Sequence, residues 1–278
     1  MKLKIGFSTC PNDTFIFDAM VHHKVDTEGL EFDVILGDVE SLNRAATQNT
    51  IDITKISYHA YFYVAKNYLL LDSGSALGRG NGPLLISQNR VSTQDVATRN
   101  IAIPGRTTTA NLLLSLAFPN ALKRTEYVFS DIEAALLDDE VDLGLIIHEN
   151  RFTYADKGLR KVCDLGEFWE DTTGLPIPLG GIVVNRNLPD DIQQKVNRVL
   201  RRSVDFAFDN PLESLEFIRK YAQGMNEEVM YKHIELYVNE FTRSLGVEGR
   251  NAVHTLFRIS QEKRILGALP EKIFLDLA

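Results

Sequence analysis

The chain has 278 residues, 44% of them hydrophobic, and its 30 basic and 38 acidic side chains give a formal net charge of −8. This length and apolar content predict about two domains with buried cores. The acidic balance and the absence of a basic block exclude a protein built to grip nucleic acid, whereas a small anionic ligand is compatible with them.

The N-terminus begins directly with an apolar strand pattern, and neither a signal peptide nor a run of about 18 apolar residues is recognisable. We therefore expect a cytoplasmic protein that does not bind a membrane. Cys10 and Cys163 are too few for a disulfide framework and lack the spacing of a zinc site. No metal-ligand cluster and no glycine-rich nucleotide motif is recognisable either, so no metal is predicted.

Strands and helices alternate over the first third of the chain. Hydrophobic patterning predicts strands over 3–7, 31–36 and 52–56, and helices over 15–21, 38–48 and 58–65. Asp38 is the expected cap of the second helix. This βαβαβα order predicts an α/β protein with a parallel or mixed sheet covered by helices.

A stretch dense in glycine, residues 74–83, is expected to hold no strand or helix, and the pattern restarts after it. Strands are predicted over 84–86, 100–103, 127–129 and 142–147. Helices are predicted over 109–117 and 130–137, the latter with a capping box from Ser130 to Glu133. A second stretch rich in glycine and proline, 174–181, precedes a strand over 182–185.

The last third is helical in pattern, with helices predicted over 190–208, 211–222, 226–245 and 249–266 and Pro211 at a first helical position. We interpret the two breaker-rich stretches as hinges. Residues 1–83 and 182–278 then form lobe 1, and residues 84–181 form lobe 2. Two crossings between α/β lobes are typical of the periplasmic-binding-protein-like type II fold, with a ligand cleft between the lobes. The sequence does not predict an oligomeric state.

Ligands of open α/β sheets bind beyond the carboxyl ends of the strands, where polar candidates cluster. The loop 8–14 offers Ser8, Asn12 and backbone amides at a helix N-terminus, either as an anion site or as ordinary capping by Asn12 or Asp13. Cys10 in this loop is either a thiol activated by the helix or a small packing residue.

Two further strand ends carry candidates. The turn at 105–110 presents Thr108, Thr109 and Ala110, either to a substrate carboxylate or only as a capped turn. Lys55 can pair with a carboxylate, and Ser57 can donate to a ligand or cap the next helix. Arg79 and Asn81, in the first breaker-rich stretch, are secondary candidates.

His148 follows the apolar run 143–147 and is expected to point into the cleft. Its ordinary pKa of about 6.5 suits a general base near neutral pH. The alternative is a histidine that is only hydrogen-bonded at a strand end. The remaining histidines lie on predicted helices or directly after one, where surface or packing roles are expected: His22, His23, His59, His233 and His254.

Four segments together resemble the 1,4-dihydroxy-6-naphthoate synthase family: GFSTCPNDTFIF, DITKISYHAY, GRTTTANLLL and DLGLIIHENRFTY. The resemblance runs from the N-terminus to at least residue 185. It implies a carbon–carbon lyase of the futalosine route to menaquinone, without metal or organic cofactor. The implied substrate is cyclic dehypoxanthine futalosine, and the products are 1,4-dihydroxy-6-naphthoate and dihydroxyacetone. It places the proton acceptor on His148 and substrate contacts on Lys55, Ile56, Ser57, Thr109 and Ala110.

Three other functions compete with this interpretation. Chorismate dehydratase of the same pathway has a similar fold, but the motifs of this chain fit that enzyme less well. A solute-binding protein would return its ligand unchanged, and no export signal supports one. The sensing domain of a transcription regulator would need a helix-turn-helix or basic region, and none is recognisable. The expected partner is thus a small anionic substrate.

Overall fold

The computed structural model describes residues 1–222 and 225–276. Its strands are β1 (Lys2–Phe7), β2 (Glu31–Leu36), β3 (Ile53–Ser57), β4 (Tyr68–Leu70), β5 (Ala76–Gly78), β6 (Leu84–Ser87), β7 (Ile101–Ile103), β8 (Arg124–Glu126), β9 (Leu143–Ile146), β10 (Arg160–Asp164) and β11 (Ile177–Asn185). Its α-helices are α1 (Pro11–Val21), α2 (Val39–Thr47), α3 (Tyr58–Val64), α4 (Thr109–Ala117), α5 (Ile132–Leu137), α6 (Asn150–Thr153), α7 (Leu165–Thr173), α8 (Asp190–Asp209), α9 (Leu215–Tyr221), α10 (Glu227–Tyr237), α11 (Glu240–Arg243) and α12 (Gly246–Glu262).

The strands form two mixed sheets, as the alternating pattern predicted. In the first sheet the order is β2-β1-β3-β11-β4, with β5 also pairing β11. Strand β1 is parallel to β2 and β3, and β11 is antiparallel to β3. In the second sheet the order is β10-β6-β9-β7-β8, with β7 parallel to β8 and β9. Strand β9 is buried along its whole length, which is why it reads as a continuous apolar run.

The core of the first sheet packs against α1 and α8. Phe7 of β1 stacks on Phe17 of α1 with ring centroids 4.4 Å apart. Helix α8 buries Val196, Val199 and Leu200, residues that recur at helical spacing on one face. These contacts hold the carboxyl end of β1 in a fixed position. The carboxyl ends of β1, β3 and β9 lead to residues that border one cavity.

Both breaker-rich stretches contain strands, contrary to the prediction. Strand β5 lies within 74–83 and pairs antiparallel with β11, which runs for 9 residues through Pro178 and Gly180. The register shifts between Pro178 and Gly180, so the ladder absorbs the proline at an irregularity. Pairing partners distant in sequence therefore override local propensity here. The lobe division at 83 and 181 stays a prediction, and β11 runs across the second of these positions.

The segment 124–137 is displaced from its predicted elements. The strand is Arg124–Glu126 rather than 127–129, and α5 begins at Ile132 after a 3₁₀ turn, Phe129–Asp131. The predicted capping box is absent. The Ser130 hydroxyl donates to Asp131 at 2.9 Å, and the buried Glu133 carboxylate accepts from Asn150 at 2.8 Å. Glu133 thus serves a tertiary contact that local spacing does not reveal.

Other predicted boundaries also shifted. Helix α1 begins at Pro11, and Pro211 lies in a turn before α9. The predicted helix 226–245 is divided into α10 and α11, because Val238 is extended and Asn239 caps α11. Strands β4 and β10 and helices α6 and α7 were not predicted. The cap by Asp38 is confirmed, as its carboxylate accepts from the amides of residues 40 and 41 at 3.0 and 3.1 Å.

Among the described residues, no helix is long and apolar enough to cross a membrane.

Candidate active site

The predicted catalytic and substrate-binding residues all border one cavity. It holds about 710 Å³ of empty space, its open mouth included. Its lining includes Ser8, Asn12, Lys55, Ile56, Ser57, Thr108, Thr109, Ala110 and His148. The sequence placed these residues at strand ends, and the structure places them around a shared space. Their roles in binding and catalysis stay predictions. The secondary candidate Arg79 is exposed and pairs with Glu248 at 3.1 Å.

His148 lies just beyond β9 in a strained conformation. Its φ of 58° is in the left-handed region, which non-glycine residues rarely adopt and which is enriched at active sites. The imidazole packs against Phe129, with ring centroids 5.0 Å apart, and stacks on His233 at 6.0 Å. Burial lowers the pKa of His148, while the nearby Glu149 and Asp13 charges partly oppose this. The ring is therefore neutral at pH 7, the form that can accept a proton.

Cys10 contacts the imidazole directly. Its Sγ lies 3.6 Å from Nδ1 of His148, and the residue is buried at the start of α1. Burial raises the pKa of the thiol, and the charge of Glu149 raises it further. The structure thus favours a neutral packing residue beside the imidazole over an activated thiolate.

Alkylation tests this assignment. We expect iodoacetamide at about pH 8 to modify Cys10 more than about 100-fold more slowly in the folded protein than in the urea-unfolded protein, because the buried thiol stays protonated. Peptide mapping by mass spectrometry reads the modification at each cysteine. Labelling of Cys10 at the unfolded rate would contradict the neutral thiol.

A buried ion pair occupies the loop after β1. Asp13 and Lys55 are 3% and 6% exposed, with Oδ1 and Nζ 3.1 Å apart. The Asp13 carboxylate also accepts from the backbone amide and the hydroxyl of Ser8, at 3.1 and 2.7 Å, and from the Asn12 amide at 2.9 Å. The expected anion site in this loop is therefore filled by the protein's own carboxylate.

The same pair changes what Lys55 can do. Its ammonium also donates to the Gly74 carbonyl at 2.8 Å, so its charge is balanced before any ligand binds. The expectation that Lys55 pairs with a substrate carboxylate stays a prediction, and any such carboxylate would share the ammonium with Asp13. Parallel pairing of β1 with β3 brings Lys55 to Asp13, a juxtaposition that local patterning does not disclose.

The threonine turn before α4 uses its hydroxyls internally. Thr108 Oγ1 donates to the Gly105 carbonyl at 2.8 Å and accepts from the Asn111 amide at 3.3 Å, which makes Thr108 the helix cap. Thr109 Oγ1 donates to the Leu179 carbonyl at 2.6 Å. Neither hydroxyl hydrogen is therefore available to a ligand.

The backbone at the start of α4 supplies the donors instead. The amides of Thr109 and Ala110 belong to the first helical turn, which has no intrahelical acceptors, and both residues border the cavity. Ser57 lies on the same cavity, and its Oγ accepts from the Asn43 amide at 3.3 Å, so its own hydrogen can still be donated. Together these groups suit a carboxylate.

His233 was not predicted as a site residue. It is fully buried on α10, and Nε2 lies 2.8 Å from Oδ1 of Asn12. Burial lowers the pKa of His233 well below its ordinary value, so the ring is neutral. Of the two expected roles, surface or helix packing, its burial where α10 packs on α1 fits the packing role. No local signal marks it, because α10 reaches the site by packing on α1 and β5, which are distant in sequence.

Cys10, His148 and Glu149 offer a sulfur, a ring nitrogen and a carboxylate oxygen within 4.8 Å of one another. This is the one group of three metal-ligand side chains among the described residues that meets such a spacing. A metal would need the Cys10 thiolate, whereas burial raises the pKa of this thiol and favours its protonated form. The expectation of no metal stays a prediction.

Known proteins share this chain's sequence over nearly its full length. Residues 3–262 match the family described as menaquinone biosynthesis. The 1,4-dihydroxy-6-naphthoate synthase of Thermus thermophilus is 42% identical over 272 residues, covering 98% of this chain and 98% of that protein. The enzyme of the same name from Streptomyces coelicolor is 40% identical over 272 residues, covering 96% and 95%.

Solved structures confirm the predicted fold class. A crystal structure of a protein from Archaeoglobus fulgidus superposes with a TM-score of 0.90 at 37% identity, covering 95% of this chain and 98% of that one. A Candida albicans protein with the generic periplasmic-binding-protein fold superposes with a TM-score of 0.67 at 14% identity, covering 100% and 98%. The chain thus has the periplasmic-binding-protein-like fold, and it belongs to the menaquinone biosynthesis family, alongside the enzymes named 1,4-dihydroxy-6-naphthoate synthase.

Proposed function

We propose that the protein is a cytoplasmic 1,4-dihydroxy-6-naphthoate synthase that cleaves cyclic dehypoxanthine futalosine into 1,4-dihydroxy-6-naphthoate and dihydroxyacetone. The observation that carries the proposal is a neutral, strained His148 on the same cavity as the free amides of α4. One cavity then offers both a base and an anion site. The two relatives of that name, at 42% and 40% identity, support the same activity.

The substrate carboxylate binds at the start of α4. The amides of Thr109 and Ala110 point along the helix axis, and the positive end of the helix dipole adds to their attraction. Ser57 supplies a further hydroxyl donor from β3. The paired Lys55 contributes by holding Asp13 and the loop 8–14 in place rather than by meeting the carboxylate alone.

His148 acts as the general base. It takes a proton from the sugar-derived part of the substrate, and the carbon–carbon bond to the ring system then breaks in a retro-aldol-like step. Dihydroxyacetone leaves, and formation of the aromatic naphthoate ring drives the step forward. The neutral Cys10 thiol and the Phe129 ring hold the imidazole in position.

We infer that a contact between α2 and the turn before α4, next to residues that line the cavity, holds the cavity closed. Glu40 on α2 accepts from the Thr107 hydroxyl at 2.8 Å, and Thr107 lies in the turn before α4. Glu40 is buried, and burial raises the pKa of its carboxyl group. Closure of this kind excludes water and aligns the base with the substrate.

The pH dependence of turnover follows from the buried imidazole. Because burial lowers the pKa of His148, the acid limb of kcat/KM is expected to have its midpoint below pH 6.5. Activity should be full at pH 7 and fall as the pH drops through the lowered value, where the base becomes protonated. Initial rates between about pH 4.5 and 9 give this midpoint. A midpoint above 6.5 would point to a different base.

A competition assay tests the proposed function against its alternatives. The purified protein is incubated with equal amounts of cyclic dehypoxanthine futalosine and chorismate, and mass spectrometry follows both. We expect only the futalosine derivative to be consumed, with naphthoate appearing. Consumption of chorismate would identify the sister dehydratase. Return of both compounds unchanged would favour a solute-binding protein.

A further inference from the structure

Asn81 borders the cavity without a partner for its side chain. The residue lies between β5 and β6, flanked by Gly80 and Gly82, and is 1% exposed. Among the described residues, neither Nδ2 nor Oδ1 of Asn81 finds a hydrogen-bond partner. A buried amide with both ends unsatisfied destabilises a fold, so its presence beside a cavity indicates a ligand that satisfies it.

The adjacent asparagine, Asn239, has hydrogen-bond partners within the protein, whereas Asn81 does not. A Cβ at Gly78 would lie 2.8 Å from Nδ2 of Asn81 and 2.9 Å from Nδ2 of Asn239, so glycine at 78 makes room for both amides. Asn239 is satisfied within the protein: it donates to the Leu77 carbonyl at 2.9 Å and accepts from the Phe241 amide at 2.9 Å. The side-chain amides of both asparagines thus lie next to Gly78, and of the two only Asn81 lines the cavity.

We propose that Asn81 is a substrate-binding residue that recognises the hydroxyl-bearing, sugar-derived part of the substrate. A carboxylate could accept a hydrogen bond from Nδ2, but it has no hydrogen to donate to the carbonyl oxygen Oδ1. Hydroxyl groups donate and accept, so they satisfy both ends of the amide. The α4 amides on the same cavity already provide for the carboxylate. This assignment rests on the proposed function.

The test compares Asn81→Leu with the control Asn239→Leu, both nearly isosteric changes. For each variant and the wild type, we measure the thermal midpoint, KM and kcat for cyclic dehypoxanthine futalosine, and the Kd of 1,4-dihydroxy-6-naphthoate. Asn81→Leu should raise KM about tenfold or more, because two hydrogen bonds to substrate are lost. Its thermal midpoint should be unchanged or higher, because no bond within the protein is lost. The Kd of naphthoate, which lacks the sugar-derived part, should not change.

The control should behave in the opposite way. Asn239→Leu removes the cap of α11 and is expected to lower the thermal midpoint by about 2–4 °C. If Asn81→Leu lowers the midpoint as much, Asn81 is a structural residue and the proposal is overturned. A change in the naphthoate Kd equal to the change in KM would overturn the assignment to the sugar-derived part.

These measurements distinguish a failure of the Asn81 assignment from a failure of the proposed function. An active wild type with unchanged KM in Asn81→Leu overturns the role of Asn81 and leaves the proposed function intact. An inactive wild type overturns the proposed function and, with it, the role of Asn81. Should Asn81→Leu not fold, Asn81→Asp keeps the volume and replaces the Nδ2 donor with a second acceptor oxygen. It is then expected to raise KM, and an unchanged KM would overturn the proposal.

Discussion

His148→Ala is expected to lower kcat by about 10²- to 10⁴-fold, the usual contribution of a general base. The Kd of 1,4-dihydroxy-6-naphthoate should stay close to that of the wild type, because the carboxylate site at the start of α4 is intact. Alanine adopts the left-handed backbone conformation of residue 148 no more readily than histidine does, so the substitution does not relieve the backbone strain. Steady-state kinetics and fluorescence titration of the product separate the two quantities.

A second variant and a control sharpen this result. His148→Gln retains a hydrogen-bonding side chain of similar size but cannot act as a base near neutral pH, so it should be as inactive as His148→Ala. His254→Ala changes an exposed histidine on α12, outside the residues that line the cavity, and should leave kcat unaltered. A kcat within tenfold of the wild type in both His148 variants would show that another group is the base.

Lys55→Met is expected to destabilise the protein by about 3–5 kcal/mol, because it leaves the Asp13 carboxylate buried and unpaired. The Ser8 and Asn12 bonds to Asp13 remain, but they do not replace a full positive charge. Urea unfolding followed by circular dichroism measures the free energy of unfolding. Loss of the pair should also disturb the loop 8–14, which borders the cavity, and so raise KM.

The double variant Lys55→Met with Asp13→Asn removes both charges and should recover much of the lost stability. As a control, Lys232→Met breaks a pair with Glu228 whose side chains are 53% and 73% exposed, and it should leave the free energy of unfolding nearly unchanged. If Lys55→Met were as mild as Lys232→Met, the buried pair would not hold the loop as described.

Features set by local sequence could be predicted. Helix α4 has the predicted bounds 109–117, since three threonines followed by an apolar run favour a helix that starts there. Strand β9 and His148 beyond it follow from a buried apolar run that ends in polar residues. Ligands of α/β lobes bind beyond the strand ends, and the candidates at 8, 55, 108 and 148 all lie at predicted strand ends, so the sequence could assign them to one cleft.

Features that depend on contacts between distant segments could not be predicted from the sequence. The Asp13–Lys55 pair depends on the β1–β3 register, and the approach of His233 to Asn12 spans 221 residues of sequence. Strand β5 forms in a glycine-rich stretch because β11 pairs with it. The burial of Asn81 could not be predicted either, because it depends on tertiary contacts. The two glycines that flank Asn81 in the sequence indicate only a loop.

The claim that this cavity catalyses carbon–carbon bond cleavage is tested most directly by one single-turnover experiment. Excess wild-type protein is mixed with cyclic dehypoxanthine futalosine, quenched at intervals, and both products are quantified by mass spectrometry against His148→Gln as a blank. We predict 1,4-dihydroxy-6-naphthoate and dihydroxyacetone in equal amounts with the same rate constant, and formation of both at least about 10²-fold more slowly in the blank. Unchanged substrate with the wild type, or one product without the other, would contradict the proposed reaction.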